Sequence, residues 1–407
     1  MRHFLIFLCG CALLLSACHK EKDDPTPAPP EADRRTVLVY VAGENSLSKY
    51  YAEEFTEMCE GSMSIGDKDH LLVYVDIADA IRKPYLMEVS KGDTVTIHQY
   101  TEDMLSCDPD VMLNVIRRAF EARPAQSYGL VLWGHSSGWI IKTDSVENNM
   151  MARRPAYGVD NNKNGTTNAG MWINIPTLTK VLLRAGYPLR FIFADCCNFQ
   201  CTEVAYEMRN TADYIIGSPA VIPGKGAPYN TVVPAMFSQS DTFYREIADA
   251  YYAQKVNGCK VPLSVVKTSE MSALADATRT ALKSFAATFD GQMPDMTGLI
   301  YYLGNRASAA YRVMYDMNDF MLRYASEDDY NVWRQAFDRA VVYRRMSTEW
   351  VTSNLVDFND FEVTEERYGG LSMFVPQAVT KATYYLYNTD IKKMGWYYAA
   401  GYADVGW

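Results

Sequence analysis

Histidine is scarce in this chain. Five occur among 407 residues, at positions 3, 19, 70, 98 and 135, which leaves few candidates for an imidazole acid or base. Positive charge is also in short supply. Lysine and arginine total 39 against 49 acidic residues, a formal net charge of −10, so a phosphate backbone is an unfavourable partner and no nucleic acid is expected. Beyond the N-terminal segment no apolar run approaches the ~18 residues of a membrane span. Charged residues are 22% of the chain and hydrophobic residues 48%, which excludes a mainly disordered polymer.

The N-terminus reads as an address. Arg2 is followed by an apolar run, Phe4–Leu15, and then Leu15-Ser16-Ala17-Cys18. The run is too short to span a bilayer comfortably and suits the core of a signal peptide. Its ending resembles a bacterial lipobox, so residues 1–17 are expected to be removed and Cys18 to carry lipid. His19–Arg35 is charged and then proline-rich, an extended tether over 18–35. Glu21, Asp23 and Asp24 resemble the surface-export signal of some Gram-negative lipoproteins. The expected location is exported and lipid-anchored, at the outer membrane or cell surface.

Nine cysteines occur, at 9, 11, 18, 59, 107, 196, 197, 201 and 259. Two lie in the signal and one is the lipid candidate. The remaining six are too unevenly spaced for a disulfide framework and lack the paired C-x-x-C of a structural zinc site. Cys196, Cys197 and Cys201 bunch near one strand end, which points to chemistry.

From residue 36 short apolar runs alternate with amphipathic stretches. The runs at 36–42, 71–78, 128–135, 189–195 and 213–218 suit parallel strands buried on both faces. Asp108 with Pro109 predicts a helix start, and Leu178, Val181 and Leu182 predict a helix stopped at Gly186. Residues 86–90 and 94–100 predict a hairpin. The fold class is therefore α/β with a mostly parallel sheet, and its sites belong at the carboxyl ends of strands. The first body is expected over 36–285. A helix-rich, tyrosine-rich C-terminal domain or extension over 286–407 is expected to pack on it, with one buried strand at 370–376 and the terminal aromatics in core or interface.

Two of the apolar runs end in reactive residues: Trp133-Gly134-His135-Ser136-Ser137-Gly138-Trp139 and Phe193-Ala194-Asp195-Cys196-Cys197. Parallel strands end on one edge, so a histidine and a thiol far apart in sequence can meet there, with the imidazole as base and then acid. His3 and His19 lie in the signal and tether, His70 precedes a strand and His98 sits in a hairpin, so His135 stands out.

These segments, with VYVAGENSL (39–47), AYGVD (156–160), ADCCNFQCTEVAYE (194–207), YIIGS (214–218), PGKG (223–226), YDMNDF (315–320) and GLSMFVP (370–376), resemble the clostripain-like cysteine peptidases. The resemblance implies a caspase-type α/β/α sandwich, His135 as the catalytic histidine and Cys197 as the nucleophile. It further implies an oxyanion hole from backbone N–H groups near Ser136 and Cys197, no cofactor, and protein or peptide substrates. Asp195, two residues before the nucleophile, could line the specificity pocket and favour Arg or Lys, or could cap the next helix.

Two positions depart from the family pattern: Ser136 stands where glycine is usual, and Lys225 stands in the PGKG loop. They leave a catalytically silent binding scaffold as the alternative. The polar stretch 142–170 resembles a maturation loop, with cleavage expected after Arg153. Asp160, Asn162, Asn164 and Gly165 match half of a calcium loop, but Met171 stands where the bidentate Glu belongs, so calcium is a weak expectation.

Overall fold

The apolar runs become strands because branched and aromatic side chains suit a pleated surface that is covered on both sides. A computed structural model describes residues 33–141, 156–162, 170–255, 260–289, 293–303, 312–350, 361–376 and 382–407. In chain order the strands are β1 (Arg35–Gly43), β2 (Asp69–Ile77), β3 (Tyr85–Ser90), β4 (Asp93–Gln99), β5 (Ser127–Trp133), β6 (Tyr157–Asp160), β7 (Met171–Ile173), β8 (Leu189–Asp195), β9 (Ala212–Gly217), β10 (Leu263–Lys267), β11 (Tyr301–Leu303), β12 (Met314–Asp316), β13 (Val341–Arg345) and β14 (Ser372–Met373). Nine of them form the main sheet, in the order β13-β10-β9-β8-β5-β1-β2-β3-β4. β2, β1, β5, β8 and β9 run parallel, and each side is closed by two antiparallel strands.

Helices cover both faces. They include α1 (Tyr51–Ser62), α2 (Pro109–Ala122), α3 (Ile175–Ala185), α4 (Thr202–Glu207), α5 (Tyr229–Met236), α6 (Phe243–Ala253), α7 (Met271–Phe285), α8 (Met317–Tyr324) and α9 (Glu327–Ala340). All nine residues of β1 are buried, and their alternation decides the layers. Val37, Val39 and Val41 pack with Met58 of α1, Val232 of α5 and Ile247 of α6. Leu38, Tyr40 and Ala42 pack with Met112 of α2, Leu178 of α3 and Leu274 of α7. Each such aliphatic side chain, removed from water, contributes about 1.5–3 kcal/mol. The result is the expected caspase-type α/β/α sandwich.

Local signals behave as the sequence implies. Asp108 accepts hydrogen bonds from the amides of Asp110 (2.9 Å) and Val111 (3.1 Å) and so starts α2 with Pro109 at its first position. Gly186 stops α3 in the left-handed conformation at φ +81°.

Asp33–Trp407 forms one compact unit. Within it, the segment after residue 285 is helix-rich, as expected, with α8, α9 and the further helices Ala382–Asp390 and Gly395–Ala399. It supplies β13 to the edge of the main sheet, and β11, β12 and β14 form a separate three-stranded sheet. The strand expected over 370–376 pairs only at Ser372–Met373, although Leu371–Val375 are buried. Burial there comes from side chains rather than from a continued ladder. Trp396, Tyr397, Tyr402 and Trp407 are buried, as core residues should be. Among the described residues no helix is long and apolar enough to cross a membrane.

Candidate functional site

Because β1, β5, β8 and β9 are parallel, the loops that follow them gather on one edge of the sheet. β1 lies between β2 and β5, so the chain turns to opposite sides of it, and a crevice opens where the strand order reverses. A cleft of about 250 Å3 lies there. The loop after β1 lines it with Ser46 and Tyr50, the end of β5 with Trp133 and His135, the end of β8 with Asp195 and Cys197, and the loop after β9 with Ile222 and Gly226.

The structure thus brings His135 and Cys197 into one cleft. Asn198, the residue after Cys197, takes a left-handed backbone at φ +54°. Asparagine tolerates that conformation, and the surroundings fix it. The Asn198 amide donates to the Ala220 carbonyl (2.9 Å), and its side-chain amide donates to the carbonyls of Pro219 (2.9 Å) and Tyr302 (3.3 Å). Cys197 is thereby turned out of the strand while Cys196 stays in. The Ile222 amide lies 3.4 Å from Cys197 Sγ as a donor, and the Ile222 carbonyl lies 3.9 Å from Sγ as an acceptor. Burial pushes the Cys196 and Cys201 thiols well up, so both remain protonated core residues. Cys59, Cys107, Cys196, Cys197 and Cys201 are all unbridged.

His135 Nε2 lies 3.0 Å from Ser46 Oγ. A hydroxyl both donates and accepts, so it can orient the ring in either charge state. Sequence reasoning missed Ser46. It lies 89 positions from His135, and a serine in a loop carries no signal of its own.

Asp195 is buried against the cleft. Its Oδ2 accepts from the Ala227 amide (3.1 Å) and the Tyr229 hydroxyl (2.9 Å). Those donors belong to the loop and helix after β9, so Asp195 does not cap α4. Gly226 makes the approach possible. Its φ is +69°, and a Cβ there would stand 2.7 Å from Asp195 Oδ2. Lys225, in the loop after β9, is turned to α1, where Glu53 (2.7 Å) and Glu57 (3.4 Å) pair with it.

Ser136 keeps an ordinary backbone. The described non-glycine residues with positive φ are Lys91, Asn162 and Asn198, and the left-handed turn of this motif falls on Gly138 at φ +64°. The Ser136 hydroxyl donates to the Ala156 carbonyl (2.6 Å) and accepts from the Gly138 amide (3.0 Å), tying the loop to β6.

Cys18, Arg153, Asn164 and Gly165 lie outside the described residues. In the half calcium loop, Asp160 Oδ2 accepts from Ser106 N (2.5 Å) and Oγ (2.8 Å), and Oδ1 accepts from Asn162 N (2.9 Å). That carboxylate joins two loops. Glu44, Asp76 and Asp103 place one carboxylate oxygen each within 4.8 Å of one another. Nothing in the residue pattern points to this group, whose members come from three separate segments.

A thiol and an imidazole at adjacent strand ends suit acyl transfer, which needs no cofactor. The model of the clostripain family matches residues 39–407. The chain belongs to the clostripain family. It is a cysteine endopeptidase, and its substrates are peptides or proteins. No curated protein matches this clostripain-family chain.

Solved structures do match it. One is a secreted C11 cysteine protease from Bacteroides thetaiotaomicron in complex with an irreversible peptide inhibitor, 31% identical, with 91% of this chain and 99% of that one covered at a TM-score of 0.72. Another is an inactive zymogen C11 protease from Parabacteroides distasonis, 28% identical over 92% and 99%, with a TM-score of 0.73. A third is a second secreted C11 cysteine protease from Bacteroides thetaiotaomicron. It is 20% identical over 91% and 100% at a TM-score of 0.70, and it agrees in fold.

Proposed function

We propose that this clostripain-family chain is an exported, lipid-anchored endopeptidase that cleaves after Arg or Lys through a Cys197–His135 dyad. The observation that carries this reading is the cleft shared by Cys197, His135 and a buried Asp195. In the first step Cys197 thiolate attacks the scissile carbonyl, and its negative charge passes to the carbonyl oxygen. Backbone N–H groups near Ser136 and Cys197 stabilise that oxyanion. His135 gives its proton to the leaving amine, then takes one from water, which releases the acid and restores the thiolate. Ser46 is the positioning residue for the imidazole.

Asp195 supports basic specificity because its oxygens lie in a buried, acidic wall where a guanidinium or ammonium finds a partner. The pairing of Lys225 with Glu53 and Glu57 removes the charge that would oppose this. Anchoring rests on Cys18 at the end of the signal-like segment, and export agrees with relatives described as secreted. Cleavage after Arg153 is the proposed maturation step.

The test is a fluorogenic panel with Arg, Lys and neutral P1 residues, run on the wild type and on Cys197→Ala. Turnover of the basic substrates, lost by more than about a thousandfold in the variant, is the expected result. No turnover by either protein favours the scaffold alternative that Ser136 raises. Turnover that survives the substitution moves the nucleophile elsewhere.

A further inference from the structure

Beside the cleft lies a second buried carboxyl group that the proposed chemistry does not use. Glu54, on α1, is fully buried, and its Oε2 accepts a hydrogen bond from the indole N–H of Trp133, a residue lining the cleft. Glu54 lies near enough to Asp195 for their charges to interact, and the buried Tyr229 and Tyr251 neighbour both carboxyl groups. One oxygen of each carboxyl group, Oε1 of Glu54 and Oδ1 of Asp195, is buried with no hydrogen-bond partner.

Two buried carboxylates side by side repel, and each unpartnered oxygen costs desolvation energy. Both groups are accordingly pushed up, first by burial and, for Glu54, next by the charge of Asp195. The donors decide which one keeps a proton. Asp195 accepts from two partners and Glu54 from one, so the negative charge settles on Asp195 and the proton on Glu54.

The other charged and titratable groups nearby do not supply a counter-cation. Glu53 and Glu57 of α1 are bound to Lys225. Tyr229 and Tyr251, from α5 and α6, are held neutral by burial. Cys197, His135 and Lys49 line the cleft, whose lining does not include Glu54.

We propose that Glu54 is a second specificity-determining acid of this pocket: its proton leaves for solvent when a cationic P1 side chain docks beside Asp195. Recognition of a basic residue is then coupled to the loss of one proton. The incoming guanidinium or ammonium adds positive charge beside two carboxyl oxygens that lack donors, and this makes the doubly ionised pair the stable form. A neutral side chain of the same shape leaves the proton in place. The proposal rests on Asp195 being the P1 partner.

Calorimetry on Cys197→Ala, which cannot turn over, separates the two ideas. A short peptide ending in arginine amide is titrated at about pH 8 in buffers of different ionisation enthalpy, beside the same peptide ending in citrulline. The arginine peptide is expected to release about one proton and the citrulline peptide none. Adding Glu54→Gln, which preserves an acceptor for Trp133, is expected to abolish the release. In the active enzyme the ratio of kcat/KM for arginine over citrulline substrates should rise by about tenfold or more between pH 6 and pH 9. Ionisation of the dyad cancels in that ratio. In Glu54→Gln the ratio should level off at a lower pH. Arginine binding without proton release by Cys197→Ala overturns the role of Glu54 and leaves basic specificity standing. Equal binding of the two peptides overturns basic specificity, and this proposal with it.

Discussion

Cys196 and Cys197 are neighbours in sequence with different environments, and the difference supports Cys197 as the nucleophile of the proposed chemistry. Cys196 continues the inward alternation of β8 and is buried in the layer with α2, α3 and α4, where apolar surroundings favour the thiol. Cys197 precedes the left-handed backbone of Asn198 and meets an amide donor from Ile222. The same reasoning gives Ser46 its weight. If Ser46 Oγ orients His135, Ser46→Ala should lower kcat/KM by about tenfold, equivalent to about 1.4 kcal/mol. The loss should fall mainly on kcat and move the acid limb of the pH profile, and Ser46→Thr should restore both. A purely structural role predicts lower stability with an unmoved pH profile. The sequence marked the thiol and the imidazole because each ends an apolar strand. It did not mark Ser46 or Glu54, whose roles come from contacts 89 and 79 positions away.

The elements themselves were legible where the signals are local. Runs of branched and aromatic residues gave the five parallel strands to within a residue or two. Asp108-Pro109 gave the start of α2, because an acid that accepts two free amides and a proline that lacks one are compatible only there. Replacing Asp108 by alanine should cost about 1 kcal/mol in urea denaturation, and asparagine should recover most of it. After residue 285 the helices are legible and the short strands are not. β11, β12 and β14 are two or three residues long. No period can be read from so short a segment, so only the helix-rich character of that stretch shows in its spacing.

For the whole molecule, a charged cluster ties Asp33, just before β1, to the antiparallel side of the sheet. His70 of β2 bonds Glu88 of β3 (2.7 Å) and Asp33 (3.0 Å), and Arg123, after α2, bonds Glu88 through Nε (2.9 Å) and Nη2 (2.5 Å). The His70 hydrogen bond, with Arg123, holds Glu88 down at about 2, and the bond to Glu88 raises His70. The signs differ. Glu88 stabilises fully above its ordinary value of 4.5, and its contribution is lost as pH falls through 2. His70 stabilises fully below its ordinary value of 6.5, and its contribution is lost as pH rises through its raised folded value. The cluster therefore contributes most between those two ordinary values. Glu88→Gln should lower stability by about 2 kcal/mol near pH 5.5 and by much less near pH 2, measured by urea denaturation at each pH.

Strand positions, the layering by alternate residues and the placing of a histidine and thiols at strand ends were determined by the sequence alone, because hydrophobic period and strand-end composition are written within a few residues. Tertiary structure alone decided what surrounds those strand ends: the hydroxyl beside the imidazole, the two buried carboxyl groups near one another and the turning of Lys225 away to α1. Those are meetings between distant segments, and a linear chain encodes them only through the shape into which its strands and helices pack.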